Sequence, residues 1–252
     1  MRHMYSKSFY FYERILNSLG LFDVFKKIID TKWIKHPHYK SDLYKYSTTQ
    51  FLIRHFFGYN GHRANHDAGN LGFGFLHYAF IIASKPERVL CIGSEQGFIP
   101  AICALACKDN NKGHVDFVDA GKTKKSKNNW GGTGFWKKND PQQHFSVLDL
   151  ENWITPHIMT SKQFAKKNKY KYEYIFIDGD HSYPGVKFDY ETFWPRLATG
   201  GMMGFHDICL KGLNGQDEYG VWKLWKELGE KHKSSFEYLD NSVGFIQKKP
   251  SS

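Results

Sequence analysis

The sequence predicts an α/β fold: a mostly parallel sheet with helices between its strands, closed by an antiparallel hairpin at the carboxyl end. Three observations lead to this. Short apolar runs rich in β-branched and aromatic residues (88–92, 114–118, 174–177, 202–205) alternate with stretches whose apolar residues recur at helical spacing. One of those runs passes through a glycine turn, Gly93-Ser-Glu-Gln-Gly97, directly into a helix. Two others end on polar tips, Asp178-Gly-Asp-His-Ser-Tyr183 and His206-Asp207, with a single helix between them. Strand, helix, strand is a right-handed crossover, so both tips reach one edge of a parallel sheet, where open α/β folds bind ligands.

The elements follow in order. Leu16, Leu19, Val24, Phe25, Ile28 and Ile29 have helical spacing, broken at Gly20, and predict two short amphipathic helices. Residues 58–74 carry five glycines among Asn60, His62, Arg63, Asn65, His66, Asp67 and Asn70, which makes an irregular loop, either a ligand-facing lid or a connector. A helix at 75–84 leads to Pro86, so residues 1–84 read as a helical extension and 85–252 as the main domain. In the main domain Gly93 and Gly97 let the backbone approach a ligand closely, and the helix that follows presents its amino terminus. The glycine spacing differs from the G-x-G-x-x-G dinucleotide fingerprint. The second strand ends in Asp119, suitably placed to accept hydrogen bonds from ribose hydroxyls, with a turn or cap role as the alternative.

Residues 122–143 mix lysines, glycines and the aromatics Trp130, Phe135 and Trp136, a composition suited to closing over a substrate or stacking on a ring. Residues 144–149 read as a third strand with Asp149 near its tip, and 153–170 as a helix and a basic connector. Pro184 opens the helix between the two polar tips, and Gly200-Gly201 is expected to end it. Beyond a polar loop at 211–220, a helix at 221–231 and a hairpin with its turn at Asp240-Asn241 complete the chain.

At 252 residues the chain can bury a full core. Its longest apolar run, around residues 75–83, is too short to span a bilayer, and no secretory leader pattern is present, so a cytoplasmic location is expected. The four cysteines lack metal-type pair spacing and read as reduced residues of core elements. A formal net charge of +10 favours acidic partners, although the lysines cluster in two segments and do not form a stripe along a helix.

Val89-Leu-Cys-Ile-Gly-Ser-Glu-Gln-Gly97 resembles the first motif of class I S-adenosylmethionine-dependent methyltransferases, whose fold is Rossmann-like. Phe176-Ile-Asp-Gly-Asp-His-Ser-Tyr183 together with Gly200-Gly-Met-Met-Gly-Phe-His-Asp207 resembles the branch holding cephalosporin-hydroxylase-type proteins and macrolide-sugar O-methyltransferases. The resemblance covers residues 88 to the end. It implies that the turn Gly93, Ser94, Glu95 and Gly97 borders the methionine part of the cofactor. Asp119 would hold the ribose, Asp149 would lie near the adenine, and Asp178 would touch the cofactor as well. In metal-dependent relatives a divalent cation, magnesium or manganese, is held at positions matching Asp178, His206 and Asp207, with a base at the position of His181. Two departures stand out. The acidic residue often found two positions before the first glycine is Cys91 here, leaving Glu95 as a substitute contact, and the first member of the second metal pair is His206, a softer ligand than magnesium prefers.

These residue types suit methyl transfer to oxygen. An alcohol is a poor nucleophile at neutral pH; a cation on Asp178 and Asp207 would lower its pKa, and His181 could take its proton. Taken singly, His181 also suits a capped turn, and Asp180 an Asx turn before the helix. The leading expectation is an enzyme, an O-methyltransferase acting on a small hydroxylated acceptor, with a sugar or glycan among the candidates. A nucleic-acid-binding or nucleic-acid-modifying protein using the basic segments is the alternative, with a nucleotide-binding oxidoreductase third. The aromatic amino-terminal segment leaves homo-oligomerisation open.

Overall fold

A computed structural model describes residues 73–121, 134–211, 219–232, 235–238 and 242–250. The expected helices before residue 73, the glycine-rich loop up to residue 72, residues 122–133 of the basic segment, residues 212–218 of the polar loop and the expected turn at Asp240-Asn241 lie outside the described residues. In chain order the described elements are α1 (Gly74–Ser84), β1 (Arg88–Gly93), α2 (Phe98–Asp109), β2 (His114–Asp119), α3 (Phe135–Lys138), α4 (Pro141–Ser146) and β3 (Ile154–Ile158). They continue with α5 (Ser161–Lys167), β4 (Tyr172–Asp178), α6 (Tyr183–Phe193), β5 (Leu197–His206), α7 (Val221–Lys231), β6 (Ser235–Tyr238) and β7 (Val243–Gln247).

The seven strands form one sheet in the order β3-β2-β1-β4-β5-β7-β6. β1 through β5 pair in parallel, and β7 runs antiparallel between β5 and β6. This is the doubly wound, Rossmann-like plan with a carboxyl-terminal antiparallel pair. The chain reverses its direction of travel across the sheet between β1 and β4, and crevices at such a reversal are where ligands bind. The fourth strand supplies the centre of the core, with Tyr174 and Phe176 on one face and Ile175 and Ile177 on the other, all nearly inaccessible. Burying each such side chain contributes roughly 1.5–3 kcal/mol.

On one face α1 and α2 cover the sheet, and Gly74 lets α1 sit directly against Phe98 and Ile102. The buried His77 of α1 is tied to the Tyr174 hydroxyl at 2.6 Å, so the helix is fixed in rotation by a polar contact inside an apolar layer. On the other face α5, α6 and α7 pack through Phe164, Val186, Tyr190, Phe193, Leu224 and Leu228. Cys91, Cys103 and Cys107 are free and buried as expected, whereas Cys209 is exposed just past β5.

Two segment assignments are corrected by the structure. Residues 144–149, expected as the third strand, are the end of α4 and the turn after it. Asp140 accepts a hydrogen bond from the Gln142 backbone and Pro141 stands at the first helical position, so this Asp-Pro pair starts a helix whatever alternation follows. The third strand is Ile154–Ile158, inside the stretch expected to be helical, paired in parallel with β2 from Val115↔Ile154 to Asp119↔Ile158. The helix after it is only Ser161–Lys167, opened by a capping box between Thr160 and Gln163. A smaller shift concerns Gly200-Gly201: α6 ends at Phe193, and the two glycines lie within β5, which is irregular against β4 between Tyr172 and Tyr174.

Candidate active site and cofactor edge

The carboxyl ends of β1, β2, β4 and β5 converge on one edge, and each brings a residue that the sequence singled out. At the end of β1 the chain turns through Gly93 (φ 78°), Ser94 (φ 116°), Glu95 (φ 43°) and Gly97 (φ 82°). A Cβ on Gly93 would stand 2.0 Å from the Asp178 carbonyl oxygen, so only glycine allows β1 and β4 to close up here. Ser94 is buried; its hydroxyl accepts from the Ile99 backbone N–H at 3.3 Å and ties the turn to the start of α2. Cys91 does not face this edge. Its Sγ lies 3.9 Å from Cys103 Sγ in the core beneath α2.

Asp119 ends β2, and its Oδ1 accepts from the Gly121 N–H at 2.7 Å. Burial pushes its carboxyl up to about 6; the Gly121 N–H opposes that shift, and the neighbouring Asp178 and Glu95 add to it. Mutual electrostatic influence of this kind requires Asp119, Asp178 and Glu95 to share one region, as the sequence reading expected. Asp149 does not join them. It stands on the turn before β3, at the opposite edge of the sheet, largely exposed and ion-paired with Lys108 near the end of α2. The residue beside Asp119 at the sheet edge is Ile158, which also approaches Gly121. The signal that could have found it is the β-branched run Ile154-Thr-Pro-His-Ile158.

The tips of β4 and β5 form the polar centre. His181 Nε2 lies 2.8 Å from Asp207 Oδ2 and 3.4 Å from Asp178 Oδ1, and His206 Nδ1 lies 3.1 Å from Asp178 Oδ1 and 3.3 Å from Asp207 Oδ1. These four side chains are only 6–11% exposed, and one ligand atom from each falls within 4.8 Å of all the others. His181, read from sequence as a base beside a three-residue metal set, is therefore geometrically a fourth member. Asp207 reaches the cluster from a left-handed conformation (φ 61°), which Asp tolerates better than most residues. Burial would lower the His181 pKa, but the carboxylates of Asp178 and Asp207 outweigh it and raise it to about 10. His206 is raised in the same way, against burial, mainly by Asp178.

Asp180 stays outside the cluster. Its Oδ1 accepts from the Ser182 N–H at 3.0 Å, an Asx turn feeding α6, whose start is capped by the Ser182 hydroxyl. Two aromatic residues that sequence reasoning passed over flank the histidines: Phe73 lies 5.3 Å from the His206 ring and Tyr219 meets the His181 ring edge-on at 5.1 Å. Trp136 and Phe135, expected as aromatics free to stack on a ligand, pack instead on each other, on His144 and on Phe145.

The donor set fits a divalent cation: two carboxylates and two imidazoles at mutual ligand distance, with a nitrogen content that suits manganese, iron or zinc better than magnesium. The edge also suits an adenosyl cofactor, with a left-handed glycine turn at the end of β1 leading into the amino terminus of α2 and a carboxylate at the end of β2. Residues 90–208 match the family described as a methyltransferase domain. That match takes in just under half of the chain, so over these residues the chain is similar to a methyltransferase domain. Solved structures share its fold. The O-methyltransferase TomG of Streptomyces achromogenes, involved in tomaymycin synthesis and solved with S-adenosylmethionine, is 10% identical with a TM-score of 0.55, covering 80% of this chain and 90% of that one. An O-methyltransferase from Bacillus cereus, solved with S-adenosylhomocysteine, is 12% identical at 0.55, covering 80% and 91%. Cofactor-bound Rv0187 from MTB is 12% identical at 0.58, covering 90% and 97%. At these identities the likeness is one of fold. A curated relative, the uncharacterized protein y4gI of Sinorhizobium fredii (strain NBRC 101917 / NGR234), is 35% identical over 54 residues. That match spans 21% of this chain and 6% of the relative, a small part of its length. No helix among the described residues is long and apolar enough to cross a membrane.

Proposed function

We propose that the chain is an S-adenosylmethionine-dependent methyltransferase that transfers the methyl group to a hydroxyl oxygen of a small acceptor, with a divalent cation held by Asp178, His206 and Asp207 and with His181 as the base. The observation that carries the reading is the convergence of two carboxylates and two imidazoles at the tips of β4 and β5, adjoining the glycine turn at the end of β1. S-adenosylmethionine, when bound, supplies an electrophilic methyl group. A divalent cation, when bound, would lower the pKa of the acceptor hydroxyl and orient it. The residues of the chain supply the rest. Gly93 and Gly97 allow the backbone to lie against the methionine portion, Glu95 stands in for the acidic contact that Cys91 does not provide, Asp119 accepts from the ribose hydroxyls, and Ile158 offers apolar surface to the adenine.

The geometry places a condition on His181. Held between two carboxylates it keeps a proton far above neutral pH, and in that state it cannot act as a base. Its base function therefore requires that Asp178 and Asp207 be satisfied by another positive charge. Once they are, Nε2 is free to accept the acceptor's proton at the atom where it now meets them. The same condition explains why an imidazole at this position makes sense in a cation-assisted reaction and little sense without one. Names of structural neighbours such as TomG support oxygen as the acceptor atom, and the aromatic faces of Phe73 and Tyr219 beside a polar centre suit a sugar or glycan. The comparisons give no support to the nucleic-acid alternative.

The test is a calorimetric titration with S-adenosylhomocysteine, with and without manganese or magnesium, followed by turnover assays of Asp178→Asn against a panel of hydroxylated acceptors. Saturable binding with a metal-dependent heat, and a folded Asp178→Asn variant without turnover, are expected. Unchanged turnover in that variant would sink the metal role.

A further inference from the structure

We infer that the indole N–H of Trp136 is a hydrogen-bond donor to the carboxylate of the cofactor's amino-acid moiety. The inference rests on the cofactor reading above and extends it to a residue outside the recognised motifs.

Trp136 owes its position to local sequence. Gly134 turns the chain in a left-handed conformation (φ 73°), a single helical turn at Phe135–Lys138 follows, and Asp140-Pro141 then starts α4 in a new direction. The ring is thereby pressed inward, 5.8 Å from Phe145 in a stacked arrangement and edge-on to Phe117 at 5.4 Å. Only 6% of Trp136 is exposed. Its Nε1 is buried and has no hydrogen-bond partner among the described residues. Nearly all buried donors in native proteins are paired, so an orphan at this depth calls for an explanation.

The orientation supplies one. The Trp136 Cβ lies 3.8 Å from where a Cβ at Gly121 would stand, and its Cζ2 lies 3.1 Å from where a Cβ at Gly97 would stand. The ring therefore reaches from the turn after β2 to the turn after β1. Cζ2 and Nε1 are both bonded to Cε2, so the ring edge facing the Gly97 turn is the one that carries the N–H. That donor lies beside the turn assigned to the methionine portion of the cofactor, where the charged acceptor is a carboxylate. A neutral donor meeting a carboxylate inside a buried site makes one of the stronger hydrogen bonds available to it. Glycine at position 97 is what leaves room for the ring.

The experiment compares two ligands on two proteins. S-adenosylhomocysteine carries the amino-acid carboxylate, and 5′-methylthioadenosine lacks it. Trp136→Phe is expected to weaken S-adenosylhomocysteine by about ten-fold or more in calorimetry and to leave 5′-methylthioadenosine unchanged. Equal weakening of both ligands, or no weakening of either, overturns the assignment. A second measurement avoids dependence on the variant's folding. In the 15N-labelled parent protein, the Trp136 indole N–H resonance, assigned through its contacts with Phe145, is expected to move downfield with S-adenosylhomocysteine and to stay in place with 5′-methylthioadenosine. An immobile resonance also overturns it. Failure of the parent protein to bind S-adenosylhomocysteine is a separate result, which strikes the cofactor reading and not the placement of Trp136.

Discussion

Gly93 and Asp178 are register partners at the carboxyl ends of β1 and β4, so close that a side chain on the first would collide with the backbone of the second. The cofactor turn and the polar centre are thus two sides of one contact. Gly93→Ala is expected to disturb both at once. A positive φ alone costs an alanine about 1–2 kcal/mol, and separation of the strands adds to that. Thermal melts should show a clear loss of stability, and calorimetry a loss of both S-adenosylhomocysteine and cation binding. A variant with a parental melt and intact cation binding would show that the two sites are independent.

The metal preference should follow position 206. Histidine in a set with Asp178 and Asp207 favours softer divalent ions, so His206→Asp, which makes the trio all-oxygen, is expected to shift the preference toward magnesium. Titration of both proteins with magnesium, manganese and zinc reads the order directly. An unchanged order would mean that His206 does not ligate.

Cofactor affinity should fall in acid. In the ribose-binding role proposed for it Asp119 must be ionised to accept from both hydroxyls, and burial lifts its carboxyl to about 6. Protonation therefore sets in as the pH drops through 6, well before an ordinary aspartate would respond. Binding of S-adenosylhomocysteine is expected to weaken over that range in the parent, and to be weak with a flatter profile in Asp119→Asn.

Asp189 offers a stability test on a group that takes no part in the proposed chemistry. It is buried in α6, with its carboxyl pushed up to about 7 by burial, opposed by a bond from Ser161 and aided by Asp180. A carboxyl whose folded pKa lies above its unfolded value binds protons better when folded. The contribution of Asp189 to stability is therefore most favourable in acid, declines as pH rises from about 4 to 7, and is a constant penalty above that. Asp189→Asn removes the charge and is expected to stabilise the protein at pH 8 by roughly 2–4 kcal/mol, with little gain at pH 4. Melting temperatures across that range decide it.

Much of this arrangement was legible in the residues, and the failures have physical causes. Asp178, His181, His206 and Asp207 could be placed together because strand, helix and strand of ordinary length leave the crossover only one sensible geometry. β3 was misplaced because two local signals conflicted: alternation suggested a strand at 144–149, while Asp140-Pro141 carried a stronger helix start. That slip displaced Asp149 to the wrong edge and concealed Ile158. Trp136 was read as exposed because a lysine- and glycine-rich context says nothing about where a ring will find Phe145 and Phe117. The burial of Asp189 was invisible for a similar reason, since helical spacing identifies an apolar stripe and not the carboxylate enclosed at its margin.

Pro156 gives the sheet's outer boundary a further meaning. Among the described residues β3 is the last strand on its side, and the bond from Val115 N–H to the Trp153 carbonyl sets which of its groups face β2. By the alternation of a strand, residues 153, 155 and 157 turn inward, and Pro156 turns its nitrogen to the open side. That nitrogen has no hydrogen to offer, so the margin that would otherwise invite a stranger's strand presents a gap in its row of donors. The sheet is thereby guarded against growth by strand addition at its β3 margin.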